Sequence, residues 1–258
     1  MLQGRMMAKL DGKIALITGS SSGIGRAVAL AFAHEGAHVA INFPNQSQAV
    51  NAAEVESEIK KAGRRALSIE ADVASEEQVD RMVDRVMGKF GRIDILVNNA
   101  GIAGAAATIE NLTVAAWDQL MTVNLRGVFL CTRKVLPIMY RQNYGKIINT
   151  ASQLAYKGAP GMAHYCASKA GIVTFTRSLA LEIGARNINA NCVAPGVTRT
   201  PILEGTPPAL LDSILAGIPK ARFAHVDDIV PAYLFLASDE AGHFVGQCLS
   251  PNGGDVML

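Results

Sequence analysis

Lys13-Ile-Ala-Leu-Ile-Thr-Gly-Ser-Ser-Ser-Gly-Ile-Gly25 decides the architecture of this chain. Its apolar opening is too short for a helix and ends in Gly and Ser, as a strand buried on both faces does. The next stretch, 23–35, carries Ile24, Ala27, Val28, Ala31 and Phe32 on one side of a helix, and Gly36 supplies the stop. In Thr18-Gly19-Ser20-Ser21-Ser22-Gly23-Ile24-Gly25 the glycines let backbone come close to a bound group. The helix start adds unpaired N–H groups and a favourable dipole, so the turn suits a pyrophosphate. A plain Gly-rich turn is the alternative, since the spacing Gly-x-x-x-Gly-x-Gly differs from the Gly-x-Gly-x-x-Gly of many dinucleotide folds.

The alternation continues outward. Strands are expected at 38–42, 66–70, 93–97, 146–150, 188–193 and 247–250, and helices at 48–62, 115–141, 162–183 and 227–237. A further helix opens on the capping-box pattern Ser75-Glu76-Glu77-Gln78 and runs to Phe90. No repeat or low-complexity linker divides the 258 residues. The expectation is one domain, 1–258, of α/β class: a three-layer Rossmann fold whose doubly wound parallel sheet has about seven strands. Such a sheet binds ligands at the carboxyl ends of its strands.

The chemistry-bearing motifs fall at those ends. Asp72-Val73 follows the third strand, where a carboxylate can accept from an adenine amino group while Val packs on the ring; an Asp capping the next helix reads equally well. Asn98-Asn99-Ala100-Gly101 follows the fourth strand; its small residues leave room for a flat group, although an Asx turn accounts for it too. Pro195-Gly196-Val197-Thr198 follows the sixth and sets a turn and a hydroxyl at the same edge. Tyr165 and Lys169 stand at i and i+4 on one helix, Cβ atoms roughly 6 Å apart. A cation there favours phenolate and should pull the Tyr pKa down from ~10, as a general acid/base needs.

Half the residues are hydrophobic and 18% charged, enough for a large core, and the net charge of +2 leaves no basic stripe for nucleic acid. The first ten residues lack the apolar core of a signal peptide, and no apolar run reaches the ~18 residues of a membrane span. A cytoplasmic protein with no membrane partner is expected. Cys131, Cys166, Cys192 and Cys248 are scattered, without metal spacing, and read as small core hydrophobes; no metal site is expected.

Taken together, residues 18–25, 98–101, Asn124, Ser152, Tyr165, Lys169 and Pro195-Gly196, in this order and spacing, resemble the short-chain dehydrogenase/reductase family. The likeness runs from about Leu10 to Gly254 and is strongest to the single-domain branch that includes 3-oxoacyl-carrier-protein reductases and bacterial glucose dehydrogenases. It implies hydride transfer between a nicotinamide and a carbonyl or secondary alcohol. Tyr165 would be the general acid/base, and Lys169 would lower its pKa and hold the nicotinamide ribose. Ser152 would hydrogen-bond the substrate oxygen, and Asn124 would hold a water linking Lys169 to solvent. The cofactor would be held by Gly19, Ser21, Ser22, Gly23, Ile24, Gly25, Asn42, Phe43, Asp72, Val73, Asn99, Ala100, Gly101, Tyr165, Lys169, Pro195, Gly196, Val197 and Thr198.

Cofactor choice departs from the family pattern. Phe43 stands where NAD-preferring relatives carry an Asp, and Ser22 and Pro44 stand where NADP-preferring relatives often carry a base. Asn42, Asn45 and Ser47 could bond either ribose substituent; without a repelling acid, NADP(H) is favoured over NAD(H). The resemblance further implies a homotetramer, built partly from helices 115–141 and 162–183, and a mobile substrate lid at 199–222. Asn252 replaces an Asp common in relatives. Lys220, Arg222, Arg126 and Arg133 are candidates to meet an acidic carrier protein. The substrate is expected to be a small-molecule or acyl-chain carbonyl or alcohol. A sugar or polyol dehydrogenase of the same family, an epimerase or dehydratase of its longer branch, and a non-catalytic nucleotide-binding sensor are the competing readings.

Overall fold

The computed structural model describes residues 8–257. Residues 1–7, part of the segment read as lacking a signal core, lie outside the described residues.

Seven strands form one parallel sheet: β1 (Ile14–Ile17), β2 (His38–Phe43), β3 (Ala66–Glu70), β4 (Ile95–Asn98), β5 (Gly145–Thr150), β6 (Ile188–Val193) and β7 (Cys248–Leu249). Their spatial order is β3-β2-β1-β4-β5-β6-β7. The order reverses between β1 and β4, so their carboxyl ends flank the crevice where such sheets take ligands. Around the sheet lie α1 (Gly23–His34), α2 (Ala49–Lys61), α3 (Glu76–Phe90), α4 (Val114–Met121), α5 (Gly127–Gln142), α6 (Ala163–Ile183), α7 (Pro208–Ala216) and α8 (Val226–Ala237).

Strand periodicity sorts β1 between two cores. Ala15 and Ile17 join Val28 and Phe32 of α1 and Ile229, Tyr233 and Leu236 of α8. Ile14 and Leu16 face Met82, Val83 and Val86 of α3, Val135 and Met139 of α5, and Leu179 and Ile183 of α6. Burial on both faces explains why β1 and residues 95–97 of β4 read as unbroken apolar runs.

Three local expectations need correction. The helix expected over 115–141 is two helices joined by a π turn at Thr122–Arg126. One extra residue there turns Asn124 inward, and its hydrogen bonds, described below, offset the poorer helical geometry. At α3 only half of the capping box forms: Ser75 Oγ accepts from Gln78 N at 3.4 Å, but Gln78 Oε1 accepts from Asp72 N at 3.0 Å, not from Ser75 N. The Ser75 N–H is already donated to Asp72 O. The last strand shrinks to Cys248–Leu249, because only those residues pair with β6. The 199–222 segment, expected to be a substrate lid, contains α7, whose Pro208 sits at the helix start, where a missing N–H costs nothing.

Candidate active site

The Gly19–Gly25 turn leads from β1 into α1. Gly19 has φ +61°, and a Cβ there would lie 2.8 Å from Ala100 Cα; a Cβ on Gly25 would overlap Gly19 O and lie 2.5 Å from Asn99 Nδ2. Glycine is therefore required twice, by conformation and by close approach. Ser22 is the N-cap of α1 but its side chain makes no capping bond, so the first N–H groups remain open to an anion. A cradle this bare fits a dinucleotide pyrophosphate. Gly23 lies under the root of the 199–222 segment, 3.5 Å separating its would-be Cβ from Thr200 Cβ.

Two residues fix the turn. Asn99 Nδ2 donates to Thr18 O at 3.0 Å and Gly19 O at 3.1 Å, while Thr18 Oγ1 accepts from the N–H groups of Asn99 and Ala100, both at 3.0 Å. Thus 98–101 is laced to the neighbouring loop rather than to its own backbone. Asn42 accepts from Gly19 N at 3.1 Å and donates to Ala71 O at 2.8 Å, with longer contacts to Phe43 O and Ile69 O. It is buried, and its amide is spent tying β2 and β3 to the turn. Asn45 is likewise engaged, accepting from Ser47 N and Ser47 Oγ, and Ser21 Oγ donates to Gln48 Oε1 at 3.3 Å. Phe43 is buried in the α1-side core, leaving no acid at the end of β2. Glu70, beside Phe43 in register on β3, is held by the Gln46 amide.

Asp72 uses Oδ1 to accept from Ala74 N at 2.9 Å, an Asx turn that leaves its other oxygen free. Val73 is buried, close against Gly127. Pro195 O accepts from Gln153 N at 3.0 Å, Gly196 N donates to Pro251 O, and Thr198 Oγ1 donates to Gly196 O at 2.9 Å. A single bridge joins Thr198 to Ala224, so both ends of the 199–222 segment are fastened together, with Val197 O accepting from Ala224 N.

The Tyr165 group converges at the carboxyl ends of β4 and β5. Asn124 Oδ1 accepts from Ile102 N at 2.8 Å and its Nδ2 donates to Ile102 O at 2.9 Å and to Ser168 Oγ at 3.3 Å. Ser168 Oγ in turn donates to Tyr165 O at 2.8 Å. Gly101 lies between Asn124 and Lys169: its would-be Cβ is 3.2 Å from Asn124 Oδ1 and 3.6 Å from Lys169 Nζ. Lys169 is buried, its ammonium donating to Thr150 O at 2.8 Å and lying 5.6 Å from the Tyr165 ring centroid. Ser152 is the N-cap of the 3₁₀ turn Gln153–Ala155, with Oγ accepting from Leu154 N at 3.2 Å. Ser168 was not singled out from sequence, since a small hydroxyl inside an apolar helix is too common to stand out; Thr18 was read only as the start of the Gly-rich motif, not as the residue that ties it to 99–100.

The electrostatics reverse one expectation. Burial raises the Tyr165 phenol above its ordinary range, a rise that the Ser152 hydroxyl only partly opposes. The ammonium is directed to the Thr150 carbonyl, not to the phenol, and so does not deliver the expected lowering. Tyr165 is therefore protonated at neutral pH. Lys169 is itself lowered to about 8 by desolvation. Between about 8 and the ordinary lysine range the folded protein binds fewer protons at this site than the unfolded chain, so stability from this group rises with pH across that window. Lys169→Met is expected to raise the Tm of the cofactor-free protein by at least about 2 °C at pH 7, with the gap closing toward pH 10. Thermal melts at several pH values check this; a gap that widens with pH refutes the buried charge as its cause.

Comparison with known proteins agrees with this geometry. A family model described as enoyl-(acyl carrier protein) reductase matches residues 19–255. The 3-oxoacyl-[acyl-carrier-protein] reductase FabG of Staphylococcus aureus (strain Mu50) is 41% identical over 249 residues, spanning 95% of this chain and 98% of the relative. The enzyme of the same name from Thermotoga maritima is 38% identical over 252 residues, with 96% and 100% covered. Among solved structures, a putative short-chain alcohol dehydrogenase from Sinorhizobium meliloti 1021 superposes with a TM-score of 0.91 at 37% identity, covering 96% of this chain and 98% of the other. Levodione reductase does so at 0.90 and 33%, with 95% and 98% covered.

Proposed function

This chain belongs to the short-chain dehydrogenase/reductase family, and from that premise we propose that it is a nicotinamide-dependent oxidoreductase reducing a 3-oxoacyl thioester to the 3-hydroxyacyl product. The observation that carries the reading is the convergence of Asn124, Ser152, Tyr165 and Lys169 beside a bare Gly-rich turn. Likeness over nearly the full length to reductases named for 3-oxoacyl-carrier-protein substrates supports the substrate class.

The bound nicotinamide supplies the hydride. The chain supplies the rest. Ser152 orients the carbonyl oxygen, and Tyr165, protonated at neutral pH, gives its proton to the alkoxide as negative charge develops there. Lys169 would stabilise the resulting phenolate and hold the nicotinamide ribose, and a water near Asn124 would link Lys169 to solvent and return the proton.

NADP(H) is favoured over NAD(H), supported by the buried Phe43 at the end of β2 and by Glu70 being occupied with Gln46. Asn42 then serves the turn rather than the ribose, and the same cofactor pocket is completed by Asp72, Val73 and 195–198. The 199–222 segment, helix included, closes over substrate, hinging on the Thr198–Ala224 bridge. The chain works in the cytoplasm as a homotetramer. An apolar groove of about 820 Å³ lined by Met121, Leu125, Phe129 and Phe175, on α4 to α6, supports subunit contact there.

The test follows reduced-nicotinamide absorbance with 3-oxoacyl thioesters, sugars, polyols and cyclic diketones against both cofactors. The thioesters with NADPH are expected to give the highest kcat/KM. A sugar or polyol turned over faster would move the substrate assignment, and a hundredfold preference for NAD(H) would overturn the cofactor assignment.

A further inference from the structure

The residue after the substrate-orienting serine is held from an unexpected direction. Gln153 is 2% exposed, yet its side chain has a single hydrogen bond, Nε2 to Asp255 Oδ2 at 2.5 Å; its Oε1 is buried without a partner. The other carboxylate oxygen of Asp255 takes Lys157 Nζ, also at 2.5 Å, from the far end of the same loop. The Asp255 side chain is only 7% exposed, so this is an ion pair withdrawn from water on the acid's side. One carboxylate thus grips the Ser152 loop at two points, 153 and 157.

The segment bearing Asp255 is rigidly built. Asn252 donates to Val256 O at 2.7 Å and to Ser250 Oγ at 2.9 Å, and accepts from Gly254 N at 2.8 Å. Pro251 O receives Gly196 N, and Gly253 O receives Lys220 N at the end of the 199–222 segment. A Cβ on Gly196 would lie 2.6 Å from Asn252 Cα, so segment and turn are in full contact. The tail touches the serine loop, the turn after β6 and the far root of the expected lid at once.

We infer that Asp255 is a positioning residue for Ser152: through Gln153 and Lys157 it sets the phase of the 3₁₀ turn that aims the serine hydroxyl at the substrate oxygen. This rests on the role given to Ser152 above. Without the carboxylate, Gln153 is a buried amide with neither end bonded, and such a group moves to find water. The turn moves with it, and a displacement on the order of 1 Å at a substrate-orienting donor costs up to about a hundredfold in rate. The asparagine variant keeps an acceptor for Gln153 and gives up only the ion pair.

D255A and D255N are compared with the parent protein on whichever ketone it reduces best, together with backbone hydrogen exchange. D255A is expected to lose about 10- to 100-fold in kcat, with cofactor affinity unchanged and a larger isotope effect from deuterated reduced nicotinamide. Exchange should quicken in 153–157 and not in the distant strands. D255N should recover to within about threefold, since a partly exposed ion pair contributes little. Parent-level kcat in D255A overturns the inference, as does an equal loss in D255N with exchange quickened throughout the sheet. A parent inert toward 3-oxoacyl thioesters refutes only the substrate assignment: local exchange at 153–157 still reads the clamp.

Discussion

Tyr165→Phe is expected to lower kcat by about three orders of magnitude while leaving cofactor affinity within a small factor of the parent. The substitution removes one oxygen and keeps the ring, so the packing of α6 and the 5.6 Å relation between Lys169 Nζ and the ring centroid persist. The phosphate turn is undisturbed, being built from Thr18, Gly19, Asn42 and Asn99. What disappears is the phenol proton that the developing alkoxide would take. Fluorescence titration with reduced cofactor and steady-state turnover measure the two halves separately. A variant retaining more than a tenth of parental kcat would sink the assignment of Tyr165 as the acid.

Gly25→Ala is the complementary case, loss of binding with the proton-transfer group intact. The added methyl meets Gly19 O and Asn99 Nδ2, the two groups that hold the turn closed. Neither can retreat cheaply: Gly19 O belongs to a residue already at φ +61°, and Asn99 Nδ2 also bonds Thr18 O. Overpacking of this kind costs about 1–3 kcal/mol of stability. The larger effect is on the cofactor, because moving the turn misdirects the N–H groups that meet the pyrophosphate; a loss of at least a hundredfold in affinity, about 2.7 kcal/mol, is expected. Thermal shift with and without cofactor reports it directly: the parent gains stability as ligand exceeds Kd and the variant does not. An unchanged cofactor-induced shift would mean that the phosphates bind elsewhere.

The architecture was legible because buried strand-length runs alternate with segments of helical spacing, which implies a parallel doubly wound sheet; the strand order came from the structure. The placement of Tyr165 beside Lys169 was legible because one helix turn fixes it; the chemistry proposed for the four residues awaits the kinetic tests. The π turn was not, since Thr122–Arg126 has ordinary helix-compatible residues and only the tertiary bonds of Asn124 to Ile102 favour the extra residue. The committed state of Asn42 was invisible for the same reason: its partners, Gly19 and Ala71, come from two other segments. The direction of the Tyr165 shift also failed from spacing alone. Helical adjacency places the ammonium near the ring but says nothing of the Thr150 carbonyl that captures it. Asp255 carried no signal in the polar, Gly-rich stretch 250–255; only its contacts with Gln153 and Lys157 give it a role to consider.

The π turn makes helix phase, rather than side-chain identity, the quantity on which the Asn124 site depends. A perfect α-helix through 122–126 would be one residue shorter per turn, and each residue of phase corresponds to about 100° of rotation. Deleting a single residue there would therefore leave the composition almost untouched and a sound helix in place, yet swing everything on its N-terminal side, α4 included, around the axis relative to α5. Tolerance to substitution and tolerance to length change are thus uncoupled along this stretch. The number of residues between Leu120 and Gly127 is what the phase of this stretch holds fixed.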